Sequence, residues 1–183
     1  MTRNWYAVYT RPQREKKVAS ILTKRGIKTY FPVNKIVGQS ANNKKTSKEA
    51  LFCSYVFVYI AESEIGSLKG IPGMVNFLYW KGKPAIIKQE EIEAVQQLTL
   101  VYNNIKLEKT AINMNDTVRI IDEPIISFKE NSASIKFQTL KIVLPSLGYT
   151  MIAERDKANE ELLQQELAQA IFSPKRLNSF FSN

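Results

Sequence analysis

Ten consecutive residues, LFCSYVFVYI at 51 to 60, constrain this chain more than any other stretch. Nine of them can be buried and none is charged, the pattern of a central strand covered on both faces. Alternation puts Tyr55, Phe57 and Tyr59 on one face and Val56, Val58 and Ile60 on the other. The aliphatic face suits a helix-packed core. The aromatic face, with its tyrosine hydroxyls, suits either the second side of that core or a surface half wet alone and buried on binding. Cys53, inside the same run, reads as an inert small hydrophobe.

A sheet must surround such a strand, and its other members are readable. NWYAVYT is a β-branched and aromatic run. Pro12, the helical spacing of Val18, Ile21 and Leu22, and Gly26 as a stop predict a helix over 13–25. KTYFPVNKIV reads as a second strand, and the polar 38–50 segment as a loop or hairpin tip. ESEIGSLKGI predicts a short helix, MVNFLYW a strand, and KQEEIEAVQQLTL a third helix that closes the unit near residue 103. There Glu90, Glu91 and Glu93 are the acidic first turn that complements the helix dipole. A polar linker is expected at 104–111. TVRII, SASIKFQ and LKIVLPSLGYTMIAE predict a small β-barrel over 112–154, and ANEELLQQELAQAIF a helical tail within 155–183. The fold class is α+β.

The net charge of +9 sits at one end. Residues 1 to 50 hold twelve lysines and arginines against Glu15 and Glu49, and the remainder is close to neutral. Concentrated positive charge is the footprint of a polyanion partner, or else a solubilising surface. On the first helix Lys17 and Lys24, seven apart, share an edge beside Lys16, and Arg14 lies nearer the apolar stripe. The chain has one cysteine and no histidine, which argues against zinc enzymes and against Ser-His or Cys-His hydrolases. With no phosphate loop, metal cluster or activated nucleophile, neither an enzyme nor a cofactor is expected. No apolar run reaches the roughly 20 residues of a membrane helix, and the first residues lack a signal-peptide core. A cytoplasmic protein without a membrane partner is expected.

WYAVYTRPQREKKVASIL at 5 to 22, LFCSYVFVYI and GMVNFLYWKGKPAII occur in the order found in the N-terminal (NGN) domain of NusG-type transcription factors. The chain resembles that family over roughly residues 4 to 100. Downstream, NDTVRIIDEP and KIVLPSLG resemble the two ends of a KOW module, with Glu123 where the pattern has glycine and Ile125 where it has phenylalanine. The resemblance implies an NGN domain over 1–103, a four-stranded, mainly antiparallel sheet with about three helices, followed by a degenerate KOW-like barrel. Length, the basic 38–50 insertion and the altered KOW pattern look closest to the UpxY-type antiterminators of polysaccharide operons.

The same resemblance implies partners. The NGN domain would grip the RNA polymerase clamp coiled coil through an apolar depression of Tyr9, Phe52, Tyr55, Phe57, Phe77 and Trp80. Arg11, Arg14 and Lys17 would meet the non-template DNA strand, with Lys24, Lys44 and Lys45 extending the basic surface. Rho or the ribosome are possible partners of the KOW-like unit. Two other readings stay open from the residues alone: a free-standing RNA- or DNA-binding or ribosome-associated module, and a protein adaptor whose basic half only solubilises.

Overall fold

A computed structural model describes residues 2–37, 46–129 and 132–156. Its first sheet is antiparallel and is built on β1 (Arg3–Thr10) and β5 (Tyr55–Ala61), which pair with Ala7 opposite Phe57 and Tyr9 opposite Tyr55. β2 (Lys28–Tyr30) joins the far side of β5, and β6 (Met74–Phe77) the far side of β1, giving the order β2-β5-β1-β6. A two-residue strand, β9 (Ile86–Ile87), also pairs with β1, so one short strand is added to the four expected.

The aliphatic face of β5 packs against α1 (Glu15–Lys24), whose Val18 and Leu22 are fully buried beside Val56, Val58 and Ile60. Each such side chain contributes about 1.5–3 kcal/mol by leaving water. The helix ends where Gly26 takes φ +76 and the amides of Gly26 and Ile27 bond the carbonyls of Thr23 and Leu22. That is the double hydrogen bond of a left-handed glycine cap. A 3₁₀ helix at Glu62–Leu68 follows β5, and α2 (Gln89–Val101) covers the opposite, aromatic face of the sheet through Ile92, Val95 and Leu98.

Several expected strands are divided. KTYFPVNKIV breaks at Pro32, which has no amide hydrogen to continue a ladder, into β2 and β3 (Val33–Val37). β3 leaves the main sheet to pair with β4 (Thr46–Ala50), so the 38–50 insertion belongs to a hairpin whose apex, with Lys44 and Lys45, lies outside the described residues. The run 51–60 becomes strand only at Tyr55. Residues 51–54 turn the chain from hairpin to sheet, with Ser54 at φ +65, and Cys53 is exposed there rather than packed in the core. MVNFLYW divides at Leu78, whose amide bonds the Ala7 carbonyl. Its end forms β7 (Tyr79–Trp80), paired with β8 (Lys83–Pro84).

The second sheet contains β10 (Lys106–Lys109), β11 (Arg119–Lys129), β12 (Ser132–Leu144) and β13 (Tyr149–Asp156) in the order β10-β13-β12-β11. SASIKFQ and LKIVL are one strand, β12. Most of the expected linker is structured: Ile105 is buried and β10 pairs with β13. Its polar composition had concealed an edge strand, which needs only one inward residue in two. The helix expected in 155–183 falls largely outside the described residues, and Asp156 still belongs to β13. The two sheets share one core, in which Trp5, Phe57 and the buried residues of α2 lie with Leu140, Ile142, Leu144, Leu147 and Met151.

Candidate nucleic-acid and protein interfaces

The junction between β1 and α1 is held between two turns. The Thr10 amide donates to the Ser54 carbonyl and the Arg11 amide to the Gly73 carbonyl, both at 2.8 Å. Glu15, the one acidic residue between Arg11 and Arg25, is buried and accepts the Ser54 amide hydrogen at 2.7 Å. Its carboxylate is therefore turned inward, and Arg11, Arg14 and Lys17 form no ion pair among the described residues. Gly73 has φ +93, and a Cβ there would lie 3.2 Å from both Arg14 Cβ and Val18 Cγ2. Only a residue without a side chain lets the 70–73 turn come this close.

The outcome is a shallow cleft of about 190 Å³ lined by Arg11, Arg14, Lys17, Pro72 and Gly73. All three cations expected at the junction line it, and all three are exposed. Lys24 is exposed in the last turn of α1, outside the cleft. Gln13 and Ser54, both non-glycine residues at positive φ (+62 and +65), flank it. Strained backbone of this kind persists only where the surroundings over-determine it, and it concentrates at functional sites. Pro72 and Gly73 belong to an IPG turn that the sequence marks as leading into MVNFLYW, but nothing local places that turn beside the cations.

The expected aromatic depression is brought together only in part. Tyr9 and Tyr55 meet edge to face at 5.5 Å, and Phe52 meets Phe57 at 5.6 Å. Phe77 lies on the other side of the sheet, packed at 6.3 Å against Tyr6 in the α1 core. Trp80 is half-buried on the β7-β8 hairpin. Tyr9 is 42% exposed, whereas Phe52 and Phe57 are buried. Tyr30 stacks on Phe57 at 6.2 Å, and burial, opposed by a hydrogen bond to Thr99, pushes its hydroxyl pKa up to about 12.

Much of this face is covered by the second sheet. The ring of Tyr149 packs edge-on against Phe52 at 5.5 Å. A cleft of about 200 Å³ separates Tyr55 and Leu78 from Thr110, Ile112, Leu147 and Tyr149. Burial first, then the neighbouring Tyr149 and Tyr9 hydroxyls, raise the Tyr55 pKa. Below it Glu91 of α2 is fully buried, accepting the amide hydrogens of Ser146 at 2.8 Å and Leu147 at 3.2 Å. Among the described residues no group of His, Cys, Asp or Glu is placed to hold a metal ion.

Residues 3–96, slightly over half of the chain, match the family model for the transcription termination factor NusG. The chain belongs to the NusG family. It is 26% identical over 155 residues to the transcription termination/antitermination protein NusG of Pseudomonas aeruginosa, covering 78% of this chain and 87% of that one. The NusG of Borreliella burgdorferi is 26% identical over 180 residues, covering 85% and 96%. A solved Thermotoga maritima NusG structure aligns with 84% of this chain and 93% of its own, at 20% identity and a TM-score of 0.43. NusG-family proteins are transcription factors, not enzymes, and the α+β class expected from the sequence is the one found.

Proposed function

We propose that this NusG-family chain is an elongation and antitermination factor that binds the RNA polymerase clamp and the non-template DNA strand. The observation that carries the DNA contact is the cleft of Arg11, Arg14 and Lys17, whose cations have no carboxylate among the lining residues. Guanidinium groups bind phosphate oxygens and stack on bases, so a single strand crossing this cleft gains both kinds of contact. Clamp docking falls to the aromatic face around Tyr9, Tyr55, Phe52 and Phe57, a composition typical of interface hot spots. Since Tyr149 packs on Phe52, full use of that face requires the second β unit to move aside. The basic hairpin and the altered KOW pattern support service in a polysaccharide operon, as in UpxY-type factors.

The factor would act by binding the elongating state better than the paused one. A threefold change in pause lifetime needs only about 0.7 kcal/mol of differential stabilisation. The test is terminator read-through with purified polymerase. Read-through should rise with the wild-type protein and fall to background with Arg11→Glu/Lys17→Glu, the circular dichroism spectrum staying unchanged. Read-through equal to wild type in that variant would remove the DNA contact from the mechanism.

A further inference from the structure

No acidic residue stands between Glu64 and Glu90, a stretch that holds Lys69, Lys81, Lys83 and Lys88. Within it the β7-β8 hairpin, YWKGKP, pairs Tyr79 with Pro84 and Trp80 with Lys83. Its turn residues, Lys81 at φ +49 and Gly82 at φ +79, are both left-handed, as a tight hairpin turn matched to the strand twist requires. The first of these positions favours Asn, Asp or Gly, so the turn itself gives no reason for a lysine at the tip. Lys81 and Lys83 are exposed and form no ion pair among the described residues. Tyr79 is 41% exposed, Trp80 is half-buried, and neither ring meets another aromatic ring among the described residues. Unopposed cations beside unstacked rings suit a single nucleic-acid strand, whose phosphates take the charge and whose unpaired bases take the rings. A duplex would engage only the lysines, because its base faces are covered.

The place of the hairpin in the fold strengthens this match. β5 occupies one side of β1, so β6 and β9 share the other, with the hairpin between them. At one end of this edge the Arg11 amide bonds the Gly73 carbonyl in the cleft, and the hairpin leaves where the Leu78 amide bonds the Ala7 carbonyl. Thr10 and Ala7 are about 10 Å apart along β1, and Val75 and Asn76, between cleft and hairpin, are exposed. A strand lying in the cleft therefore reaches the hairpin within a few nucleotides.

We propose that the β7-β8 hairpin is a second contact for the single-stranded DNA bound in the cleft, Lys81 and Lys83 holding phosphates and Tyr79 and Trp80 stacking on bases. This rests on the DNA contact proposed above, and it moves Trp80 from the expected clamp depression to the nucleic-acid surface.

The test uses the full chain and oligothymidylates of about 4 and about 12 nucleotides, within the range of single-strand sites. The short one fills the cleft, and the long one spans cleft and hairpin. Trp5 is buried, so quenching of tryptophan fluorescence on binding reports on Trp80. The long oligomer should quench it, and Trp80→Phe should abolish the quench. Lys81→Asn/Lys83→Gln, with asparagine suited to the left-handed position, should lower the slope of log K against log salt by about 1.4 for the long oligomer and leave the short one unchanged. An unchanged slope in the folded double variant, or a quench that survives Trp80→Phe, overturns the hairpin contact. If the double variant does not fold, the quench alone decides. Weaker polymerase binding with unchanged oligomer binding would also overturn the proposal, giving the hairpin to a protein partner. Arg11→Glu/Lys17→Glu separates the two readings. If it abolishes binding of the short oligomer while the hairpin variant leaves the long one unaffected, the cleft stands and the hairpin falls. If short-oligomer binding survives it while the hairpin variant weakens the long one, the hairpin stands and the cleft falls.

Discussion

Glu15 and Glu91 use one chemical device at two joints. Each is a helix first-turn carboxylate turned inward to accept backbone amide hydrogens from a distant turn, Ser54 for Glu15, and Ser146 with Leu147 for Glu91. Glu91 was legible only as favourable charge near a helix N-terminus and Glu15 only as one acid among twelve cations, because sequence does not give the direction of a side chain. For Glu91, burial raises the pKa, and the Ser146 hydroxyl, the Ser146 and Leu147 amides and Lys88 only partly oppose it. No ionisable residue lies in the 145–148 turn. A raised pKa means that the folded chain binds a proton at Glu91 more tightly than the unfolded one. The corresponding stabilisation is therefore complete below the ordinary glutamate range and is lost as pH rises through the raised value. Thermal melts from about pH 4 to 8 should show stability falling with rising pH more in wild type than in Glu91→Gln. Cys53 is the complementary failure at this scale: one residue before a positive-φ turn, it sits in an apolar run and yet is exposed.

The β3-β4 hairpin is fastened to the chain that leaves α2. The side-chain amide of Asn34, itself buried, donates to the Ile105 carbonyl at 2.7 Å and accepts the Ile105 amide hydrogen at 3.1 Å, imitating a strand partner. Beside it the Asn104 amide donates to the Lys35 carbonyl, and Asn104 Oδ1 accepts the Val37 amide hydrogen. β10 begins at the next residue but one, so hairpin, connection and second sheet are joined without slack. Asn34→Ala strips two buried backbone groups of their partners and should cost about 1–3 kcal/mol. Thermal melts would measure the loss, with hydrogen exchange at the Ile105 amide rising more than at β1 amides. α1 and α2 were legible to within a residue or two because each buries a stripe of period 3.6, and α1 also ends at a glycine stop. The strand breaks at 51–54 and Leu78 were not, since an apolar run shows burial without showing which ladder its amides join.

Across the whole molecule, the cleft of Arg11, Arg14 and Lys17 lies at the α1 side of the first sheet and the aromatic face on its α2 side, so DNA and protein contacts can be tested independently. For single-stranded DNA, removing one phosphate-binding cation lowers the slope of log K against log salt by about 0.7. Arg11→Ala and Lys17→Ala should each do so, whereas Lys24→Ala, outside the cleft, should change the slope less; binding titrations at several salt concentrations would measure this. The sequence by itself determined the α+β class, both α-helices, the two faces of β5 and the clustering of charge at the junction. Each follows from local periodicity or from charge counted along the chain. Only the tertiary structure decided that Phe77 belongs to the α1 core, that the expected linker is an edge strand, and that Tyr149 and Glu91 close the second sheet over the aromatic face. Those facts depend on contacts between residues as far apart as 52 and 149. Such contacts are set by how whole faces pack, and no local pattern encodes which of two apolar faces will find the other.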